Sequence, residues 1–151
     1  RISSTAIREL VHQGRMKAAQ KYLGRYYQIR GTVTHGRDRG GKLLGFPTAN
    51  IHLRRAETPL HGVYSVTMHS QKYGDVAGIA NVGRRPTVDG KHVQLVVHLF
   101  DFDQTIYGER VCVSFQNKIR DEKKFDSFDD LKQQIKIDCQ KALDQLKMKN
   151  K

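Results

Sequence analysis

Hydrophobic and polar residues alternate with a period of two along much of the chain after Tyr26. The alternation is clearest in five segments, 26–35, 62–70, 74–82, 92–100 and 110–117. Glycine, proline and aspartate separate these segments, and no helical pattern lies between them. Short strands separated by turn residues, without intervening helices, are typical of an antiparallel barrel or sandwich. The pattern therefore predicts a mainly β domain.

The first residues follow a helical pattern instead. Residues 3–5 are serine and threonine, which are favoured at helix N-caps, and apolar residues then recur at helical spacing as far as Gly14. A second short helix is expected over 16–23, ending at Gly24. Two short helices are too small for a domain, so we expect a linker or the tail of a preceding domain.

The end of the chain has the pattern of one long helix. Ser127 and Asp130 resemble a capping box, and acidic residues in a first turn suit the positive end of a helix. The apolar residues of this helix form one stripe, which contains Leu131, Ile135, Cys139, Leu143 and Leu146. We expect this stripe to pack on the barrel.

The composition fits one globular domain. The chain has 151 residues, of which 38% are hydrophobic and 28% charged. It has no apolar run of the ~18 residues that a membrane helix needs, and no secretory signal is visible in the residues given. Cys112 and Cys139 lie in apolar segments, so we expect two buried free thiols in a reducing cytoplasm. Because no initiating methionine is present, we expect the chain to be part of a longer protein.

The charge of the chain is strongly positive. Lysine and arginine number 27 and aspartate and glutamate 15, which gives a net charge of +12. Such a charge suits an anionic partner, namely a nucleic acid, a phosphorylated small molecule or an acidic surface. Charge alone does not distinguish these partners from a generally basic surface.

A glycine-rich basic segment occupies residues 36–50, GRDRGGKLLGFPTAN. Gly36, Gly41 and Lys42 match the first part of a P-loop, but Leu43 stands where Ser or Thr is required, and Pro47 opposes the helix that should follow. The glycines would still let backbone N–H groups approach an anion closely. The segment thus predicts either a phosphate-binding loop or a flexible basic hairpin loop.

Thr48 and Asn50 are candidate metal ligands. They are two residues apart, so in an extended segment both side chains point to one side. A hydroxyl and an amide oxygen are hard ligands, and Mg²⁺ combines few protein oxygens with phosphates and water. The alternative is an ordinary turn in which both side chains bind the local backbone.

Five motifs, the first of which ends the basic segment just described, resemble those of a known family. They are GFPTAN at 45–50, GVYSV at 62–66, ANVGRRPT at 80–87, HLFDFDQTIYG at 98–108 and IRDEKKFDS at 119–127. In this order and spacing they resemble the riboflavin kinase module of the bacterial bifunctional riboflavin kinase/FAD synthetase family, over about residues 22–146. ISSTAIR at 2–8 is similar to the end of the adenylyltransferase half that precedes the kinase there. The resemblance implies a linker over 1–22 and a kinase domain over 23–151.

The resemblance implies a fold and a reaction. The fold would be a six-stranded antiparallel β-barrel with a C-terminal helix, after a short helical linker. The reaction would transfer the γ-phosphoryl group of ATP to the 5′-hydroxyl of riboflavin and give FMN. Gly36, Lys42 and Thr48 match positions that bind ATP, and Thr48 and Asn50 match the Mg²⁺ ligands. Phosphoryl transfer needs mainly positioning and charge neutralisation, which these residue types provide.

The segment after the last strand would close over the flavin in this family. The matching positions are Arg120, Glu122 and Phe125. Without the resemblance, the charge run 120–124 would be interpreted as a solvated surface. We expect Arg120 and Phe125 to become ordered when the flavin binds.

Val96 departs from the family pattern. The family has a glutamate here, two residues before His98, that can accept the hydroxyl proton. The outward positions of this strand are Gln94, Val96 and His98, so a valine lies between two polar residues. Either kinase chemistry is lost, another group such as His98 or a water held by Asp101 replaces the base, or the substitution is engineered. His98 could accept a proton near pH 7, but we favour an ordinary hydrogen-bonded strand histidine.

Three functions remain as hypotheses. The favoured one is a cytoplasmic riboflavin kinase using Mg-ATP, slowed by Val96. The second is a catalytically weak flavin- or nucleotide-binding module. The third, least favoured, is a basic barrel that binds nucleic acid, for which Tyr26 and Tyr27 beside Arg25 and Arg30 are the only indication.

Overall fold

The computed structural model describes residues 3–34, 48–53, 57–87 and 90–149. The helices are α1 (Ser4–His12), α2 (Met16–Leu23) and α3 (Phe128–Lys149). The strands are β1 (Tyr27–Thr34), β2 (Thr48–His52), β3 (Gly62–Ser70), β4 (Gly74–Thr87), β5 (Gly90–Leu99) and β6 (Arg110–Arg120). They form a closed barrel in the order β1-β2-β5-β4-β3-β6, with every pair antiparallel. The predicted six-stranded barrel with a C-terminal helix is confirmed.

Side chains along each strand point alternately into and out of the barrel, and the inward ones are apolar. On β5 the inward residues Leu95, Val97 and Leu99 are buried, and the neighbouring strands add more inward residues to the same core. These include Ala49 and Ile51 on β2, Ala80 and Val82 on β4, and Tyr64 and Val66 on β3. Because inward and outward positions alternate, the polar residues between them lie on the outside of the barrel.

Helices α1 and α2 are as predicted and contribute to the barrel core. The Ser3 hydroxyl accepts the Ala6 N–H at 3.2 Å, and α2 ends at Gly24, whose φ of +81° favours glycine. Apolar side chains of the two helices, Val11, Met16 and Ala19, are buried in the same cluster as the strand residues. The helices therefore cover part of the barrel.

Helix α3 packs on the outside of the barrel, against β3 and β4. Ile135, Cys139 and Ala142 are buried together with Val63 and Ile79 of the strands. The prediction that Leu143 belongs to this stripe is wrong, since its side chain is 38% exposed. Each step of four residues rotates a side chain about 40° around the helix, so the three steps from Leu131 to Leu143 turn Leu143 away from the barrel. Ala142 packs against the barrel instead of Leu143.

The strands also differ from the sequence prediction in extent. Strand β2 was not predicted as a separate strand, and β4 continues to Thr87 instead of ending at 82. Gly83 suggested a turn, but it lies within β4. A Cβ there would come within 2.4 Å of a carboxylate oxygen of Glu122. The end of the Glu122 side chain thus lies directly over Gly83.

Both cysteines are free, but only one is buried. Cys139 is covered between α3 and the barrel, whereas Cys112 is half-buried on the outer face of β6. The expectation of two buried thiols is therefore wrong for Cys112, because it faces outward in the strand alternation. Among the helices described, none has both the length and the apolar character that a membrane span requires.

One buried ion pair fastens the end of β6 to α3. The Arg120 Nε donates to both carboxylate oxygens of Asp138 at 3.0 Å, and its Nη2 lies 2.9 Å from one of them. Gln134 also donates to Asp138, at 3.1 Å. Asp138 is completely buried and the Arg120 side chain is 15% exposed, so removing either charge would leave the other buried without its partner.

We therefore expect Asp138→Ala to lower the free energy of unfolding by about 3–5 kcal/mol, measured by denaturant unfolding. Asp144→Ala is the matched control, because exposed Asp144 also accepts from a glutamine four residues earlier, Gln140 at 2.9 Å. The control should cost less than about 1 kcal/mol. Similar losses in the two variants would contradict the assigned role of the ion pair.

Candidate functional site

The outer face of β2, β5 and β4 carries a row of polar residues around Val96. The strand register places Asn50 directly opposite Val96 on one side and Asn81 opposite it on the other. Thr48 lies opposite His98 in the next row. Thr48 and Asn50 therefore share the outer face, as the two-residue spacing predicted, and both are half-buried. These residues define what we call the β2–β5–β4 face.

Thr48 and Asn50 are suitable ligands for a magnesium ion. Their hydroxyl and amide oxygens lie at successive outward positions of β2, and the carbonyl of Asn50 accepts the Thr34 hydroxyl at 3.3 Å. The described residues contain no group of three or more His, Cys, Asp or Glu side chains that could hold a metal. Two neutral oxygens fit Mg²⁺, which takes its remaining ligands from water and substrate phosphates.

His98 is buried and neutral at physiological pH. Its side chain is 7% exposed, and its Nδ1 has no hydrogen-bond partner among the described residues. Burial lowers the pKa of His98 to about 4, although the nearby Asp138 carboxylate acts in the opposite direction. A base with so low a pKa accepts a proton poorly near pH 7.

Asn81 is the residue on this face that sequence reasoning missed. Its side-chain Oδ1 is buried without a hydrogen-bond partner, and it lies in the same row as Asn50 and Val96. The available signal was the alternation of β4, where Asn81 is a polar outward position between inward Ala80 and Val82. That alternation gives the face of a residue but not its neighbour on the next strand.

The segment after β6 folds back towards this face. The Glu122 carboxylate lies against Gly83, which is the next outward position of β4 after Asn81. The Arg120 guanidinium lies 5.7 Å from the centre of the Phe125 ring, and Lys123 lies 5.8 Å from it. The structure thus brings Arg120 and Phe125 together and places Glu122 against β4, with Arg120 already held by Asp138.

The start of this segment is also held by charge. Asp121 accepts from Lys118 at 2.7 Å, and that hydrogen bond holds the pKa of the exposed Asp121 carboxyl below its usual range. Lys118 also lies 3.3 Å from the His61 Nδ1.

The candidate phosphate-binding residues Gly36 and Lys42 lie outside the described residues.

Comparisons with known proteins give one consistent family. A family model described as riboflavin kinase matches residues 23–146. A bifunctional riboflavin kinase/FMN adenylyltransferase of Haemophilus influenzae is 50% identical over 142 residues, covering 94% of this chain and 46% of that protein. The protein of the same name in Escherichia coli K12 is 44% identical over 138 residues, which are 91% of this chain and 44% of that protein. The chain thus spans about half the length of the curated relatives it matches.

Two solved structures align with this chain, and one of them is described as a riboflavin kinase. A Streptococcus pneumoniae structure described as a macrolide-efflux protein aligns with a TM-score of 0.81 and 43% identity, over 91% of this chain and 45% of that one. A riboflavin kinase from Trypanosoma brucei aligns with a TM-score of 0.56 and 26% identity. The alignment covers 80% of this chain and 79% of that one.

The burial of His98 predicts a pH dependence of stability. Its pKa is about 4 in the folded state and 6.5 in the reference state, so the unfolded chain binds a proton more readily between these values. Its contribution is complete above pH 6.5 and is lost as the pH falls towards 4. We expect the free energy of unfolding to fall by about 2 kcal/mol more between pH 7 and pH 5 than in His98→Asn.

The control is His92→Asn, which changes an exposed histidine of the same strand. This variant should keep the pH dependence of the unmodified chain in denaturant unfolding. If His98→Asn kept it as well, the assignment to His98 would be wrong.

Proposed function

The chain belongs to the riboflavin kinase family, and from this premise we propose that it transfers the γ-phosphoryl group of ATP to the 5′-hydroxyl of riboflavin. The hydroxyl oxygen attacks the γ-phosphorus, the bond to the β–γ bridging oxygen breaks, and ADP leaves. The hydroxyl proton passes to water or to a phosphate oxygen, and FMN is the product. The observation that supports this best is the position of Thr48 and Asn50 beside Val96 on one outer face.

Positioning and charge neutralisation supply most of the catalysis in such a transfer. Thr48 and Asn50 would hold Mg²⁺ through their side-chain oxygens, and a bound Mg²⁺ offsets the negative charge of the phosphates. Gly36 and Lys42 are proposed to contact the ATP phosphates, as the family resemblance implies. The transferred phosphoryl group would then lie on the β2 side of the β2–β5–β4 face.

The flavin would lie under the segment that follows β6. Arg120, Glu122 and Phe125 are proposed to contact it, because Arg120 lies against the Phe125 ring and Glu122 lies against Gly83 of β4. The Arg120 guanidinium is fixed by Asp138 and also donates to the Asp121 carbonyl at 3.0 Å. Flavin binding would therefore move Phe125 more than Arg120.

The Val96 side chain cannot take up the proton that a glutamate at this position would accept. A general base contributes typically ~10²–10⁴-fold, so its absence should slow the reaction without abolishing it. His98 does not replace the base well, because burial lowers its pKa to about 4. We propose binding of Mg-ATP and riboflavin with slow turnover.

We also propose a place for the kinase in a longer protein. Residues 1–22 would link it to a preceding adenylyltransferase domain, which would convert FMN to FAD, and residues 23–151 would form the kinase domain in the cytoplasm. The relatives named riboflavin kinase/FMN adenylyltransferase support this arrangement. Since Val11 and Met16 are buried in the barrel core, such a linker would be rigid near the barrel.

A binding module without turnover is the second candidate, and Val96 is the observation that favours it. Calorimetric titration of riboflavin in the presence of Mg-ADP, followed by an FMN assay with Mg-ATP on the same sample, separates the two. Binding with FMN formation supports the kinase, and binding without it supports the module. Binding of neither ligand would refute both.

Restoring a carboxylate should accelerate the reaction. We expect Val96→Glu to raise kcat at least tenfold, about 1.4 kcal/mol of barrier, because glutamate can accept the hydroxyl proton. Val96→Gln is the matched control, since its amide has the same shape but does not accept the proton. Equal rates in the glutamate and glutamine variants, measured as FMN formation, would rule out the role assigned to this position.

Removing one proposed metal ligand should weaken metal dependence. We expect Thr48→Val to raise the Mg²⁺ concentration for half-maximal rate about tenfold or more, because valine keeps the shape but removes the hydroxyl oxygen. Thr67→Val is the control on β3, where Thr67 accepts from Gln116 at 2.9 Å. An identical Mg²⁺ dependence in the two variants would refute the assignment of Thr48.

A further inference from the structure

The amide oxygen of Asn81 requires an explanation. It is buried and accepts no hydrogen bond among the described residues. Burying an acceptor without a donor costs free energy, and native proteins retain few such groups. Each such group requires an explanation, and a catalytic role is one of them.

The register shows why Asn81 lacks a partner. Asn81 lies opposite Val96 on β5 and opposite Val63 on β3, and neither valine side chain can donate a hydrogen bond. Beyond Val96, the same row continues to Asn50. Strands are about 4.8 Å apart, so the two asparagine backbones lie about 10 Å apart with only a short apolar side chain between them. Among the cross-strand neighbours in this row, none offers the Asn81 oxygen a side-chain donor.

We propose that Asn81 is a positioning residue whose Oδ1 accepts a hydrogen bond from the primary hydroxyl of the flavin substrate. The assignment rests on the proposed function, which places that hydroxyl near Val96. An amide does not take up the proton, so Asn81 acts by orientation. With its hydrogen directed to Asn81, the hydroxyl turns its oxygen lone pairs towards the phosphoryl group on the Asn50 side.

Another asparagine on the outside of the barrel has a different role. Asn117 on β6 donates through its side-chain amide to the Ser65 hydroxyl at 3.4 Å, so its polar group is satisfied within the fold. Asn117 therefore stabilises the folded chain, whereas under the proposal the Asn81 oxygen accepts its hydrogen bond only from a bound substrate. Substituting each asparagine in turn should therefore distinguish a residue that stabilises the fold from one that binds the substrate.

The test compares Asn81→Leu with Asn117→Leu, since leucine is similar in size to asparagine. Asn81→Leu should unfold at the same or a higher denaturant concentration, because it removes an unpaired acceptor, yet lower kcat/KM for riboflavin at least tenfold with KM for ATP unchanged. Asn117→Leu should unfold at a lower concentration with unchanged kinetics. Kinetics of Asn81→Leu equal to those of the unmodified chain would overturn the assignment.

Binding of two flavins in the presence of Mg-ADP separates this proposal from the function on which it rests. Lumiflavin has the ring of riboflavin without the hydroxylated chain, so Asn81→Leu should weaken riboflavin binding several-fold and leave lumiflavin binding unchanged in fluorescence titrations. Equal effects on the two flavins would overturn the role of Asn81 alone. If the unmodified chain bound neither flavin, the proposed function would fail together with it.

A second variant keeps the acceptor. Asn81→Asp should retain riboflavin affinity, and its kcat should rise with pH as the carboxylate ionises, because aspartate accepts both the hydrogen bond and the proton. An aspartate variant as slow as Asn81→Leu, without this pH profile, would overturn the proposal.

Discussion

The register of β5 between β2 and β4 decides which side chains share the outer face of the barrel. Leu95, Val97 and Leu99 are buried in the interior, so a slip by one residue would exchange inward and outward positions along the whole strand. The cost of exposing this apolar row fixes the register. It thereby fixes Val96 between Asn50 and Asn81 on the β2–β5–β4 face.

One buried carboxylate connects this face with helix α3. Asp138 holds the Arg120 guanidinium and also opposes the lowering of the His98 pKa. Burial, with a smaller contribution from the same carboxylate, raises the pKa of the neighbouring Cys139 thiol to about 11, so this cysteine stays protonated near neutral pH. A single side chain on α3 thus influences the strand histidine, the segment after β6 and the chemistry of the buried thiol.

The sequence predicted most of the fold because alternation and capping residues are local signals. The two short helices, five of the strands and the start of α3 followed from such signals, as did the shared face of Thr48 and Asn50. Strand β2 is short and its pairing is long-range, and the role of Gly83 depends on Glu122 from a different segment. Asn81 could not be found for the same reason, because its partners on β3 and β5 are set by register and not by neighbours in the chain.

The burial of the first two helices has a consequence for how the chain can be divided. The family match begins at residue 23, yet Val11, Met16 and Ala19 lie among the core residues of the barrel. Cutting at the family boundary would expose apolar surface that these side chains now cover. The residues that the family model matches and the residues that exclude water from the core therefore have different borders, and the second set begins in α1.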